Sequence, residues 1–141
     1  ESDLEAALVE NLREFLLDLG HGFCLEAQQK SIVIGNTRAL VDLVFYHRIL
    51  KCHVLVELKV DDFKHEHLGQ LNTYVTWYRQ HMMVEGVGML LCTGKDQALV
   101  QYAIASIDNR LFVSKYEVAL PSRQALEKFL QAQRRELLGH E

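Results

Sequence analysis

Val41-Asp42-Leu43-Val44-Phe45-Tyr46-His47-Arg48-Ile49-Leu50-Lys51-Cys52-His53-Val54-Leu55-Val56-Glu57-Leu58-Lys59 reads as two apolar strands joined by a short polar turn. Residues 40–46 and 52–59 are rich in Val, Leu, Phe and Tyr, a composition suited to strands at or near a core. Arg48-Ile49-Leu50-Lys51 has the length of a hairpin loop. If His47 and Cys52 close that loop as a pair, antiparallel register sets Asp42 directly opposite Glu57. Side chains alternate along a strand, so Glu57 and Lys59 emerge on one face.

Facing carboxylates repel, and partly buried charges are costly without a partner. A cation between them resolves the conflict, and oxygen ligands at this spacing suit a hard divalent ion such as Mg²⁺ or Mn²⁺. Lys59 would then reach a water on that ion or a phosphate oxygen. The alternative is a structural ion pair in which Lys59 neutralises Glu57 or Asp42.

Asp42, fourteen further residues and then Glu57-Leu58-Lys59 resemble the D…(D/E)xK signature of the PDDEXK nuclease superfamily. The run from Asp42 to Arg48, followed by Val54 to Val60 and by Phe63-Lys64-x-Glu66-His67-Leu68-Gly69-Gln70-Leu71-Asn72-x-Tyr74, is similar to the YhcG-like family of PDDEXK proteins. The similarity extends from the first helix to about residue 130. It implies a restriction-endonuclease-like αβββαβ core, an α/β fold with a mixed central sheet flanked by helices. It implies a Mg²⁺- or Mn²⁺-dependent nuclease acting on DNA, with Asp42, Glu57 and the Leu58 carbonyl as metal ligands and Lys59 as a catalytic residue. Gln70-x-x-x-Tyr74 matches the QxxxY element that follows the ExK strand in RecB-like members. There the Gln reaches toward the active site and the Tyr toward the nucleic acid. Glu10 is the candidate for the acidic residue that such enzymes often carry on the first helix, although its position off the apolar stripe favours a solvated surface Glu.

The chain has 141 residues, enough for one domain with a proper core, and residues 1–141 read as a single unit. No apolar run approaches a membrane span and no signal peptide is visible. Cys24, Cys52 and Cys92 are scattered singly in strand-like sequence, so all three are expected as buried, reduced thiols of a bacterial cytoplasmic protein. The formal net charge of −4 argues against strong non-specific DNA binding by this chain alone. Relatives by resemblance carry a separate N-terminal helical domain, which would supply DNA contacts in the full-length protein. The same resemblance implies a role in bacterial DNA defence, restriction or processing, and a possible homodimer in which two sites address two strands. RNA stays open as a substrate, because nothing in the sequence reads a 2′-OH.

In chain order, Ser2 and Glu5 form a capping box ahead of a helix with Leu4, Leu8, Leu12, Phe15 and Leu19 on one stripe. Residues 23–28 and 31–34 read as an edge strand or hairpin arm in which Gln28 and Lys30 could approach a phosphate backbone. After the central hairpin, a helix is expected over residues 64–79, with Leu68, Leu71, Val75 and Tyr78 toward the core. His65 and His67 are two apart on it and point to different faces, which argues against a transition-metal pair. His53 lies two pleats from Glu57 and is read as structural or substrate-facing. Residues 86–92 form a buried strand, Thr93-Gly94-Lys95-Asp96 turns into a short helix carrying Leu99, Tyr102 and Ala103, and residues 111–118 form a last strand. Pro121-Ser122 then caps a final helix. A second class of function is a catalytically silent nuclease-fold module for DNA or protein binding, with Tyr74, Trp77 and Tyr78 as an exposed aromatic face.

Overall fold

The computed structural model describes residues 3–19, 22–82, 85–94, 98–103 and 120–138. The elements are α1 (Asp3–Asp18), β1 (Phe23–Ile34), β2 (Thr37–His47), β3 (Cys52–Lys59), α2 (His65–Met82), β4 (Gly86–Thr93), β5 (Ala98–Ala103) and α3 (Arg123–Leu138). The strands form one mixed sheet in the order β1-β2-β3-β4-β5. Among the described strands only β3 and β4 run parallel, which the crossover through α2 makes possible. The expected αβββαβ core is present and is extended by β5 and α3.

Two apolar layers hold helices to opposite faces of the sheet. Leu8, Val9, Leu12 and Leu16 of α1, with Leu126 and Leu130 of α3, pack against Leu43, Phe45, Val54, Val56 and Leu58. Leu71, Val75 and Tyr78 of α2 pack against Val44, Leu55, Leu90 and Cys92. The alternation along β3 thus sends even-numbered residues toward α1 and α3 and odd-numbered ones toward α2. Glu57 and Lys59 share the α2 side with Leu55. Both faces of the central strands are covered, and every residue of β4 is buried, as parallel strands require.

The β2–β3 turn closes on the His47–Cys52 pair, and Lys51 takes a φ of +56° to complete it. Gly22 supports the turn from beside it. Its φ is +104°, its carbonyl accepts the Arg48 N–H at 2.9 Å, and the His47 ring lies where a Cβ would stand. At the start of α3, Ser122 Oγ accepts the Ala125 N–H at 3.0 Å, the expected cap. The end of α2 is closed by His81, whose ring lies 2.9 Å from the Trp77 carbonyl.

Two expectations are corrected. Residues 98–103 form a strand, not a helix: β5 pairs antiparallel with β4 from Thr93↔Ala98 to Gly88↔Ala103. Glu127 of α3 accepts the Val100 N–H at 3.0 Å, and the Tyr102 hydroxyl donates to the Pro121 carbonyl at 2.7 Å. Cys24 is exposed on β1, whereas Cys52 and Cys92 are buried. Residues 23–34 form the expected edge strand and hairpin arm, continuous from Phe23 to Ile34 with a bulge between Leu25 and Ala27. The capping role of Ser2 and the strand over residues 111–118 lie outside the described residues.

Candidate active site

The β2–β3 ladder runs from His47↔Cys52 to Leu43↔Val56, and beyond it side chains take over from backbone. The Asp42 N–H donates to Glu57 Oε1 at 2.9 Å, and the Leu58 N–H donates to Asp42 Oδ2 at 2.8 Å. Each carboxylate thus satisfies a backbone donor of the opposite strand, and both residues are buried. Lys59 Nζ lies 3.8 Å from Glu57 Oε2, one pleat along. A third contact comes from β1, where Gln29 Nε2 donates to Asp42 Oδ1 at 3.1 Å.

The electrostatics follow from this packing. Burial, then the charge of Asp42, push the Glu57 carboxyl from its ordinary value of 4.5 up to about 7. The Asp42 N–H and Lys59 pull it partly back, and the charge of Glu5 on α1 adds to the rise. Lys59 thus offsets only part of the rise that burial and Asp42 impose on Glu57. The carboxylate oxygens of Asp42 and Glu57, on adjacent strands, form a hard donor set that fits Mg²⁺ or Mn²⁺. Among the described residues no three His, Cys, Asp or Glu side chains converge at metal-ligand spacing. The remaining positions of such an ion would fall to backbone carbonyl, water and substrate oxygens, the mixed sphere that Mg²⁺ prefers.

α2 roofs this end of the sheet and brings Tyr74 to it. The Tyr74 hydroxyl is raised in pKa first by burial and then by the charge of Glu57, while Lys59 opposes the rise. It therefore lies within electrostatic reach of both. Gln70 stands one helical turn earlier and is exposed. Asp42, Glu57, Leu58, Lys59 and Tyr74 are thus brought together. Glu10 is engaged elsewhere: it pairs with Arg13 on the exposed side of α1, and Glu5 is the carboxylate of that helix that acts on Glu57.

Other singled-out residues serve the fold. His53 Nε2 lies 3.2 Å from Glu26 Oε1, and the Tyr78 hydroxyl donates to Glu26 Oε2 at 3.3 Å. Tyr78 is 1% exposed, which removes it from the expected aromatic face. Trp77 stacks on His81 with ring centroids 4.0 Å apart. Gln28 accepts from Arg13 of α1 at 3.3 Å rather than facing the site. Its neighbour Gln29 was not singled out by sequence, which offered no sign that this position in the strand departs from regular geometry. A groove of about 590 Å³ between α1 and α3, lined by Phe15, Phe129, Glu14 and Asp18 among others, shares no residue with the carboxylate site.

The sequence profile of the YhcG PDDEXK nuclease domain matches residues 1–132. The YhcG protein of Escherichia coli (strain K12), whose name assigns it provisionally to the nucleases, is 35% identical over 130 residues, covering 89% of this chain. The chain spans 35% of the length of that curated relative. Among solved structures, a repair endonuclease from Pyrococcus abyssi is similar with a TM-score of 0.49 and 20% identity, over 67% of this chain and 38% of that one. A complex of EndoMS with double-stranded DNA gives a TM-score of 0.45 and 19% identity, over 74% of this chain and 39% of that one.

Proposed function

Because the chain belongs to the YhcG PDDEXK nuclease domain family, we propose that it hydrolyses phosphodiester bonds of DNA with a divalent ion, Mg²⁺ or Mn²⁺, held by Asp42 and Glu57. The observation that carries this reading is the pair of buried carboxylates facing each other across β2 and β3 with Lys59 beside them, Glu57 being raised to about 7 in pKa by burial and by the charge of Asp42. Such a pair is costly as a purely structural feature and is relieved by a divalent cation.

The roles follow from position. Asp42 and Glu57 hold the ion, with the Leu58 carbonyl as a further ligand. When bound, the ion lowers the pKa of water and offsets charge on the scissile phosphate. Lys59 orients the attacking water and stabilises charge developing on the phosphoryl oxygens, for which an ammonium on the metal side of the strand is suited. The Tyr74 hydroxyl, within electrostatic reach of Glu57 and Lys59, contacts the substrate, and Gln70 positions it from the preceding turn. Residues 1–141 act as one domain of a bacterial cytoplasmic protein. A further N-terminal helical domain supplies most of the DNA affinity that a chain of net charge −4 lacks. Defence or processing of DNA, with a homodimer presenting two sites, completes the reading.

The test is cleavage of plasmid and single-stranded DNA with Mn²⁺ or Mg²⁺, comparing the chain with Asp42→Ala and Lys59→Ala. Metal-dependent nicking that falls at least about 100-fold in both folded variants is expected. Unchanged turnover in either variant would sink the assignment. Absence of cleavage together with absence of carboxylate-dependent Mn²⁺ binding would favour a silent nuclease-fold module.

A further inference from the structure

Gln29 has a φ of +50° within β1, a left-handed conformation that is strained for a glutamine. The other described non-glycine residue with positive φ is Lys51, where a turn accounts for it. No turn accounts for Gln29. Pairing runs through this point, with Gln28 opposite Leu43 and Lys30 opposite Val41.

What changes there is the side of the sheet to which side chains go. Gln28 reaches Arg13 of α1, and Leu43 joins the core beneath α1 and α3. Ile32, Ile34 and Val41 join the core beneath α2. Residues of like parity in an uninterrupted strand share a face. Leu43 and Val41 do not, nor do Gln28 and Ile32. The β1–β2 hairpin therefore turns over at the level of Gln29 and Asp42, and there the Gln29 amide donates to Asp42 Oδ1 at 3.1 Å. Asp42 Oδ2 meanwhile accepts the Leu58 N–H at 2.8 Å. Donors from the strands on either side of β2 thus grip the two oxygens of one carboxylate and fix the plane of its group.

We propose that Gln29 is a positioning residue for Asp42: it sets the orientation of the carboxylate, and so its readiness to hold the metal, from a backbone conformation kept strained for that purpose. The inference rests on Asp42 being a metal ligand, as read above. Hydrogen-bond partners of metal ligands are commonly worth 10- to 100-fold in metal affinity, because they spare the ligand from being ordered at the moment of binding. A strained residue is retained where its surroundings require its side chain. Glycine would adopt this φ without strain but could not hold Asp42.

Two variants of the intact chain separate positioning from structure. Gln29→Gly removes both the amide and the backbone strain, and Gln29→Ala removes the amide alone. Three quantities are read: the urea midpoint without metal, the Mn²⁺ dissociation constant by calorimetry or electron paramagnetic resonance, and the Mn²⁺ concentration for half-maximal DNA cleavage. Both variants should bind Mn²⁺ about 10-fold more weakly and need correspondingly more for cleavage, although Gln29→Gly unfolds at higher urea than Gln29→Ala. Wild-type Mn²⁺ affinity in either variant would overturn the proposal. So would affinities that follow the urea midpoints, with Gln29→Gly binding the tighter, since that is the mark of a merely structural residue. A wild-type chain that binds no Mn²⁺ removes the metal-site reading itself and this role with it.

Discussion

Replacing Glu57 by Gln should stabilise the metal-free protein above neutral pH, although it removes a residue at the centre of the site. The glutamine oxygen can still accept the Asp42 N–H now bound by Glu57 Oε1 at 2.9 Å, so the geometry survives. What disappears is a charge. The folded protein holds a proton on Glu57 up to about pH 7, whereas the unfolded chain releases it near 4.5. A raised carboxyl pKa contributes stability that is complete below 4.5 and lost as pH climbs through about 7. At about 1.4 kcal/mol for each pH unit between the two values, the loss amounts to about 3 kcal/mol. Glu57→Gln cannot ionise and escapes it. Urea denaturation in EDTA, followed by the single tryptophan, Trp77, should show the two proteins nearly equal at pH 4.5. The variant should be ahead by about 3 kcal/mol at pH 8. Adding Mn²⁺ at pH 8 should raise the wild-type midpoint and leave the variant's almost unmoved, since a ligand stabilises only the state that binds it. A variant less stable than wild type at pH 8, or a difference that does not change with pH, would refute the assignment of the raised pKa to burial beside Asp42.

Two further outcomes test the frame around the site. Gly22→Ala should cost at least about 2 kcal/mol by thermal or urea denaturation, from a φ of +104° together with a Cβ set 2.6 Å from His47 Cε1. Gly35→Ala, at a φ of +62° with no atom near the added carbon, should cost about 1 kcal/mol, and equal losses in the two would refute the crowding argument. Gly88→Ala places a carbon 2.7 Å from Leu71 Cγ and 3.0 Å from Val75 Cγ2, so α2 must shift away from β4. Overpacking of this kind costs about 1–3 kcal/mol. Because the same helix carries Gln70 and Tyr74, cleavage should fall further than Mn²⁺ affinity, and unaltered cleavage in the folded variant would show that α2 does not set the substrate side.

The central hairpin was legible in the sequence because one closing pair, His47 with Cys52, fixes its whole register, and an apolar strand cannot slip by one residue without exposing its buried face. The switch from period two to helical spacing after Lys59 likewise revealed α2, and the unbroken apolar run revealed β4. Residues 98–103 were not legible. Ala-Leu-Val-Gln-Tyr-Ala contains good helix formers and is too short for either period to declare itself, so pairing with β4 decides the matter. Tyr78 was read both in the core stripe of α2 and on an exposed aromatic face, and its burial upholds the first reading. Its hydroxyl still finds a partner at the margin of the core, where the exposed Glu26 at the β1 bulge accepts from it at 3.3 Å. The α1 carboxylate nearest the site depends on the rotation of that helix. Leu8, Val9, Leu12 and Leu16 set this rotation by packing against strands distant in sequence. Gln29 shows the limit most clearly, because a left-handed φ is announced by Gly or Asn and hardly ever by Gln.

The two hydrogen bonds that cross between Asp42 and Glu57 also give a reason for their different lengths. The shorter Asp42 side chain serves the Leu58 N–H from β2, and the longer Glu57 side chain reaches the Asp42 N–H from β3. An ordinary backbone ladder continued through this level would have met those N–H groups with carbonyls and left both carboxylates buried and without these donors. Stopping the ladder at Leu43↔Val56 lets each carboxylate stand in for a carbonyl while an oxygen of each pair faces other partners, Gln29 on one side and Lys59 on the other. The interruption is therefore what allows two acidic groups to be held beneath α2 at a tolerable cost. The cost that remains is the raised pKa of Glu57, and a divalent cation is the partner that would remove it.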